Sequence, residues 1–434
     1  MSTTLIATLG ILFLLVLMLL GMPISISMLF ASFVGCSFMI GGGSASSLAA
    51  STIWSSFSNY GWMVIPMFVL MGTISFRSGI TEILYKTAFA WVGSFKGGLA
   101  STTILTSAMF AAICGSNTAT SATIGTMALP EMKKYDYNPS FSGGAIAVGG
   151  TLGVIIPPSI LLIIVAIQTQ QPLGDLFIAS LTPGIILTIL FLLSVSILCL
   201  INPELGPAGP STTWTEKLMS LGGIIETILL FIIVIGGLYA GWFTPTEAGS
   251  AGAAGALLVT LLRGRMDFES FTRAVRDALK VSSMVVLLLA GAVYFSKFMS
   301  LTRVPYNLAN WAAELPIPGW GILLVILGIY LLGGCITDAL GFLVVTIPIF
   351  FPVAEQLGFD IMWFSILVSV VTTLGAITPP VGINVYIVSG LDDDIDTQNI
   401  FKGIIPYVLS FLITIALMMV FPEIVLFLPE YLAG

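Results

Sequence analysis

The residues best placed to do chemistry in this chain are few and mostly neutral. Gly115-Ser116-Asn117-Thr118 sets three consecutive oxygen-bearing side chains after a glycine, in a stretch with no charge between Lys96 and Glu131. Thr337-Asp338 lies in a second such stretch, where Asp338 is the only charge between Glu314 and Glu355. A carboxylate in an apolar stretch costs about 3 kcal/mol unless it is paired, and such residues mark ion paths. Each segment can therefore be read as part of a cation and substrate clamp, or as the cap of the helix that follows it. Two further segments, Thr151-Leu-Gly-Val-Ile-Ile-Pro-Pro158 and Thr373-Leu-Gly-Ala-Ile-Thr-Pro-Pro380, must break any helix that contains them. A broken helix frees carbonyls that can replace the hydration shell of a cation, and it leaves a half-helix N-terminus that favours a carboxylate. Kinked packing without ligand contact is the alternative.

These segments sit in a chain of 434 residues that is 57% hydrophobic and only 8% charged, with no His. Soluble proteins carry about 25% charged residues. Apolar runs long enough to cross a bilayer recur from Leu5 to Leu428, and none shows the alternation of a transmembrane barrel. The fold class is an all-α polytopic membrane protein. No Lys or Arg precedes the first apolar run, so Leu5 onward reads as a retained helix rather than a secretory signal. Cys36, Cys114, Cys199 and Cys335 lack a C-x-x-C spacing and read as small buried hydrophobes. With a net charge of -7 and 14 Lys plus Arg scattered through loops, no basic patch for nucleic acid is present. Gly41-Gly-Gly43 lacks the context of a phosphate loop. The absence of any nucleotide motif argues against an ATP-driven pump, and no nucleophile and base pair points to an enzyme.

Proline positions disclose a duplication. Pro23 and Pro245, Pro130 and Pro352, Pro157 and Pro379, and Pro158 and Pro380 share one offset of 222 residues. Chance would give about half a coincidence at any one offset. The chain divides into a first copy at 1–205, a linker at 206–217 and a second copy at 218–434. Each copy predicts three helices (4–21, 24–41, 60–77; then 222–241, 246–262, 280–298), followed by an interfacial arm at 79–96 or 301–315. A hairpin follows at 97–132 or 319–354, each half of which reads as too short for a comfortable span and hence as re-entrant. A broken helix (140–170, 361–388) and a closing helix (174–201, 404–428) complete the copy. Five crossings per copy, an odd number, turn the second copy upside down. Under that scheme only Lys297 and Arg303 fall on one side and the remaining Lys and Arg on the other, which makes the latter side cytoplasmic and both termini periplasmic. Glu247 reads as a helix cap, and the carboxylate run Asp392 to Asp396 as a solvated loop.

Inverted repeats with helices interrupted at corresponding positions point to a secondary transporter. The motifs also resemble a known family. Pro130-Glu131-Met132, Gly149-Gly-Thr-Leu-Gly153 with Pro157-Pro-Ser159, Phe243-Thr-Pro-Thr-Glu-Ala248, and Thr378-Pro-Pro-Val-Gly382 with Asn384 are similar to the large membrane subunit of tripartite ATP-independent periplasmic (TRAP) transporters, of the dicarboxylate M-subunit type. The similarity runs over essentially the whole chain, although many members have a Gly-Ser-Ser tip where this one has Gly-Ser-Asn-Thr.

The resemblance implies an elevator mechanism driven by sodium as coupling ion, with no cofactor. It implies two partners, a small four-helix membrane subunit and a periplasmic substrate-binding protein that delivers an organic acid such as sialic acid or a C4-dicarboxylate, and a place in the bacterial inner membrane. It places one sodium site at Ser116, Asn117, Gly149 and Gly153, and another at Thr337, Asp338, Thr373 and Gly375. Substrate contacts would fall to Ser116, Thr118, Pro157, Pro158, Pro379, Pro380 and Asn384. A stand-alone sodium-coupled carboxylate carrier of the same fold, and a channel or membrane anchor, are the competing readings.

Overall fold

In the computed structural model, which describes residues 2–392 and 394–433, every regular element is helical. The first half runs α1 (Thr3–Leu19), α2 (Ile24–Ile40), α3 (Gly42–Phe57), α4 (Val64–Arg77), α5 (Ile80–Val92), α6 (Gly98–Cys114), α7 (Asn117–Lys134), α8 (Pro139–Ile155), α9 (Ile160–Thr169) and α10 (Leu173–Ile201). The second half begins with α11 (Trp214–Phe231), which passes through a π-helical turn at Ile232–Gly236 into α12 (Gly237–Tyr239). It continues as α13 (Pro245–Leu262), α14 (Phe268–Thr302), α15 (Val304–Glu314), α16 (Gly319–Ile336), α17 (Ala339–Gln356), α18 (Ile361–Gly375), α19 (Ile383–Ser389), α20 (Thr397–Val420) and α21 (Glu423–Ala433). Among the described residues, eight helical stretches are long and apolar enough to cross a membrane. The chain is a multi-pass helical membrane protein.

Local chemistry explains where the structure departs from the sequence expectation. Helix α3 was not anticipated, because Ser, Ala and Gly dominate its sequence. Helix α11 starts at Trp214 rather than near 222. There Thr213 and Glu216 form a capping box: the Thr213 backbone N–H donates to the Glu216 carboxylate at 2.7 Å, and the Glu216 N–H donates to the Thr213 hydroxyl at 3.3 Å. Thr244 and Glu247 do the same for α13, so Glu247 is a cap. Helix α14 spans 35 residues where only 280–298 was expected, its N-terminus capped by the Asp267 side chain. At 1.5 Å per residue it is about 52 Å long. The equivalent chain in the first half is cut into α3 and α4 by the turn at Ser58–Met63, where Asn59 Oδ1 accepts from the Gly61 N–H at 2.9 Å. The closing helix of the second half stops at Val420, because Pro422 cannot continue it, and does not run to 428.

Helices α6 and α7, and α16 and α17, form two hairpins whose open ends close on themselves. The Tyr137 hydroxyl, just beyond α7, accepts from the Leu99 N–H at the start of α6 at 3.1 Å and donates to the Pro207 carbonyl at 2.7 Å. The Gly97 N–H donates to the Gly206 carbonyl at 2.8 Å, so residues 202–213 lie pressed across the hairpin base. In the second hairpin, Trp320 at the start of α16 packs edge-on against Phe359, just past the end of α17. The expectation that each hairpin half is too short to span is corrected for the second: α16 and α17 each hold 18 residues and are apolar enough to cross. The reason is composition, since both turns consume two residues: α16 and α17 are apolar almost throughout, whereas α6 holds 17 residues and α7 carries Asn117, Glu131, Lys133 and Lys134.

Ion pairs tie helices to one another and to loops. Arg77 Nε donates to Asp277 at 3.1 Å and ties α4 to α14. Lys133 pairs with Asp394 and, at 3.6 Å, with Asp392, joining the end of α7 to the loop after α19. Lys133 holds the Asp394 carboxyl below the usual carboxylate range. The carboxylate run thus engages one lysine instead of being wholly solvated; Asp393 lies outside the described residues.

Candidate functional site

Each hairpin tip meets the break of one interrupted helix. At the first tip, α6 ends on Gly115 in the left-handed region, φ +66°, and Ser116 is extended. The Ser116 hydroxyl accepts from the Ala119 N–H at 3.4 Å and lies 3.2 Å from the Thr118 hydroxyl. The Gly115 carbonyl accepts from the N–H of Ile160, the first residue of α9 beyond the Pro157-Pro158 break, at 3.2 Å. A side chain at Gly115 would meet the Pro158 carbonyl at 2.6 Å, and one at Gly153 would meet the Ser116 carbonyl at 2.5 Å. Glycine is therefore required at both places for the backbones to approach.

The glycine face of α8 gathers oxygen atoms. A Cβ at Gly149 would lie 2.6 Å from the Ser107 hydroxyl, one at Gly153 2.6 Å from the Thr120 hydroxyl, and one at Gly150 would collide with the Ser121 hydroxyl. The Ser107 and Ser121 hydroxyls are buried without a hydrogen-bond partner among the described residues. Ser107, Thr120 and Ser121 went unread in the sequence, and the signal was present: small polar residues on α6 and α7 face a helix with Gly at 149, 150 and 153.

At the second tip, Thr337 and Asp338 are both extended, and the Thr337 hydroxyl donates to the Gly333 carbonyl at 3.0 Å. The Cys335 carbonyl accepts from the N–H groups of Val381 and Gly382, just past Pro379-Pro380, at 3.2 and 3.3 Å. Gly334 faces the Thr372 carbonyl and Gly375 faces Gly334, both too close for a side chain. The Thr373 hydroxyl donates to the Ser369 carbonyl at 2.7 Å. Both Pro-Pro bonds are cis.

The two tips open into one cavity of about 610 Å³. Ser116, Asn117 and Thr118 line it from the first tip, and Asp338, Ala339 and Leu340 from the second. Val69, Gly72, Thr73 and Phe76 of α4 and Val281, Met284 and Val285 of α14 form the facing wall. Asp338 is its one carboxylate, and no Lys or Arg lines it among the described residues. Of the residues read from sequence, Ser116, Asn117, Thr118 and Asp338 are brought together here. Pro157 and Pro158 are buried behind the first tip, and Pro379 and Pro380 are exposed. Asn384 is buried beside α8, its Nδ2 donating to the Ala147 carbonyl at 3.2 Å. Gly149, Gly153, Thr337, Thr373 and Gly375 stand around the tips without lining the cavity. Cys114, expected only as a packing residue, does line it. A separate cavity of about 690 Å³ lies further along α14, between Ser296, Ser300, Arg303 and the outer part of α17.

Residues 11–424 match the family described as "Tripartite ATP-independent periplasmic transporter, DctM component". The chain belongs to this family. It is 31% identical to the C4-dicarboxylate TRAP transporter large permease protein DctM of Pseudomonas aeruginosa, with 88% of this chain and 89% of the relative covered. It is 28% identical to the sialic acid TRAP transporter large permease protein SiaM of Vibrio cholerae, over 95% and 96%. The crystal structure of the Alcanivorax borkumensis YdaH transporter shares the fold, with a TM-score of 0.61 at 14% identity over 88% of this chain and 89% of that one.

Proposed function

We propose that this TRAP permease takes up an organic acid by sodium-coupled secondary transport in the bacterial inner membrane, the acid being delivered by a periplasmic binding protein. The observation that carries the reading is the cavity shared by the two hairpin tips and walled by α4 and α14. The hairpins and interrupted helices form the moving body of an elevator, and α4, α13 and α14 belong to the scaffold. One sodium ion is held at the first tip, by oxygens of Ser116 and Asn117 with the α8 backbone from Gly149 to Gly153; the unpartnered Ser107 and Ser121 hydroxyls fit a site that wants oxygen ligands. The other is held at Thr337 and Asp338, with the α18 backbone from Thr373 to Gly375. Ser116 and Thr118 contact the substrate. The relatives named for C4-dicarboxylate and for sialic acid support an acidic substrate.

The two halves are inverted repeats in this reading, with both termini periplasmic. Phe76 at the end of α4 and Val281, which follows Lys280 in α14, then line the cytoplasmic part of the cavity. A single cysteine at the exposed Ala208, in a chain freed of native cysteines, should be labelled by a membrane-impermeant maleimide only from the cytoplasmic side. Labelling from the periplasm would overturn the inverted topology.

Dependence on partners is tested in proteoliposomes. Uptake under an inward sodium gradient should be negligible for the chain alone and should appear when the small membrane subunit and a cognate binding protein are added. Robust uptake by the isolated chain would replace the tripartite reading with that of a stand-alone carrier. Flux indifferent to the sodium gradient would favour a channel.

A further inference from the structure

We propose that the linker between the two halves is a hinge strap: together with residues 93–98 it forms a two-stranded joint that bends at Ser94–Lys96 and at Ala208, and so holds the travel of the moving body to a swing about one axis. The inference rests on the elevator reading above and names its cytoplasmic pivot.

Two passages of the chain run between the bodies on this side. Residues 93–98 lead from α5 into the first hairpin, and residues 202–213 lead from α10 to α11. Helix α5 goes with α11, because the Thr87 hydroxyl donates to the Ser220 carbonyl at 3.0 Å and Ile83 packs where a side chain at Gly223 would stand. Helix α10 goes with the hairpin, its Val195 and Cys199 packed against Gly97. The two passages are bonded to each other in two sets. Leu205, Gly206 and Pro207 bond to the hairpin side: their carbonyls accept from the Asn138 N–H at 3.1 Å, the Gly97 N–H at 2.8 Å and the Tyr137 hydroxyl at 2.7 Å. Gly209 and Thr212 bond to the α5 side: the Gly209 N–H donates to the Gly93 carbonyl at 3.0 Å, and the Thr212 hydroxyl donates to the Ala90 carbonyl at 2.6 Å. The strands lie close enough to need glycine. A Cβ at Gly206 would lie 3.1 Å from the Gly97 Cα, and one at Gly209 2.6 Å from the Gly93 carbonyl.

Between the two sets lie Ser94-Phe95-Lys96 in one strand and Ala208 in the other. Phe95, Lys96 and Ala208 are exposed, while Gly93, Gly97 and Gly206 beside them are buried. A bend at these residues leaves all five bonds between the strands intact, and a few loop residues of this kind are what absorbs a hinge motion. Pro207 fixes its own φ and Pro210 restricts Gly209, so Ala208 is the free residue of its strand. A single flexible strand would let the hairpin swing in any direction. Two strands bonded side by side bend readily only about the line that joins their joints. The corresponding passage of the second half, at the offset of 222, is Leu315-Pro-Ile-Pro-Gly319, where two prolines stiffen a single strand instead.

The test follows single molecules of the full chain with its small subunit in lipid nanodiscs, in sodium buffer. A fluorophore pair is attached at Ser58→Cys, in the turn before α4, and at Gln170→Cys, just past α9, in a chain freed of native cysteines. Transfer efficiency should jump between two levels as the moving body passes the scaffold. Ala208→Pro removes the free residue of the strap and no hydrogen bond, since the Ala208 N–H makes none among the described residues. It should slow the jumps about tenfold or more with both levels kept, while Ala208→Gly should jump at least as fast as the parent. Jumps at the parental rate in Ala208→Pro overturn the hinge. Hydrogen exchange on the unmodified complex needs no variant: relative to their intrinsic rates, the Gly97 and Gly209 amides should exchange at least about tenfold more slowly than those of Lys96 and Ala208. Equal exchange overturns the strap even if Ala208→Pro fails to insert. A parental complex held at one level overturns the elevator reading and the hinge with it.

Discussion

Permease carrying Asp338→Asn should need about tenfold more sodium, or more, for half-maximal uptake, while inserting and assembling with its small subunit normally. The side chain stands at the tip of the α16–α17 hairpin, on the wall of the cavity, and is the only formal charge there among the described residues. At an effective dielectric constant of about 20, a unit charge about 4 Å from a cation contributes about 4 kcal/mol, and a tenfold change in affinity needs only about 1.4 kcal/mol of it. Asparagine preserves the size of the group and one ligating oxygen, so a change in sodium dependence reports the charge alone. Sodium dependence that stays at the parental value in an assembled Asp338→Asn protein would make Asp338 a helix cap and would move the second cation site elsewhere.

The contact between the second tip and its broken helix is the other sensitive point. Gly334→Ala would drive a methyl group into the Thr372 carbonyl of α18, a backbone atom that cannot swing aside as a flexible side chain would. Overpacking of this kind costs about 1–3 kcal/mol. Here the strain is relieved only by lifting the tip from the break, which takes Thr337 and Asp338 away from Thr373 and Gly375. We expect a lowered melting temperature together with loss of stabilisation by sodium. Gly328→Ala, on the same helix with nothing within 4 Å of the added carbon, should change neither. If the two variants melt alike and respond to sodium alike, the close packing of tip and break is not what holds the second site.

The parts of this architecture written in glycine and proline were the parts legible in the sequence. The tips at Gly115 and Thr337-Asp338 and the breaks at Pro157-Pro158 and Pro379-Pro380 stand where the residues require them, because backbone geometry is a local property. The capping box at Thr213 and Glu216 was equally local and was passed over in favour of hydropathy, which put the start of α11 too late. Helix α3 was hidden by its small polar residues. The first turns of α14, before the helix expected at 280–298, were hidden by the charges of Glu269, Arg273, Arg276 and Asp277. For the site, sequence alone could find the tips but not the wall opposite. Which faces of α4 and α14 close the cavity, and which hydroxyls of α6 and α7 meet the glycines of α8, depend on tertiary packing that no local pattern encodes.

The unequal treatment of corresponding chain in the two halves has a mechanical consequence. Helix α14 crosses from the Arg77–Asp277 pair to the Lys297 and Thr52 contact as one unbroken rod, whereas the first half jointed the same length at Ser58–Met63. The uncharged part of α14, residues 281–296, is about 24 Å long at 1.5 Å per residue, so the rod reaches past its own apolar segment at the Asp277 end. A displacement of one end of an unbroken rod is carried to the other, whereas α3 and α4 can bend at their joint, so the two walls of the cavity are expected to differ in stiffness.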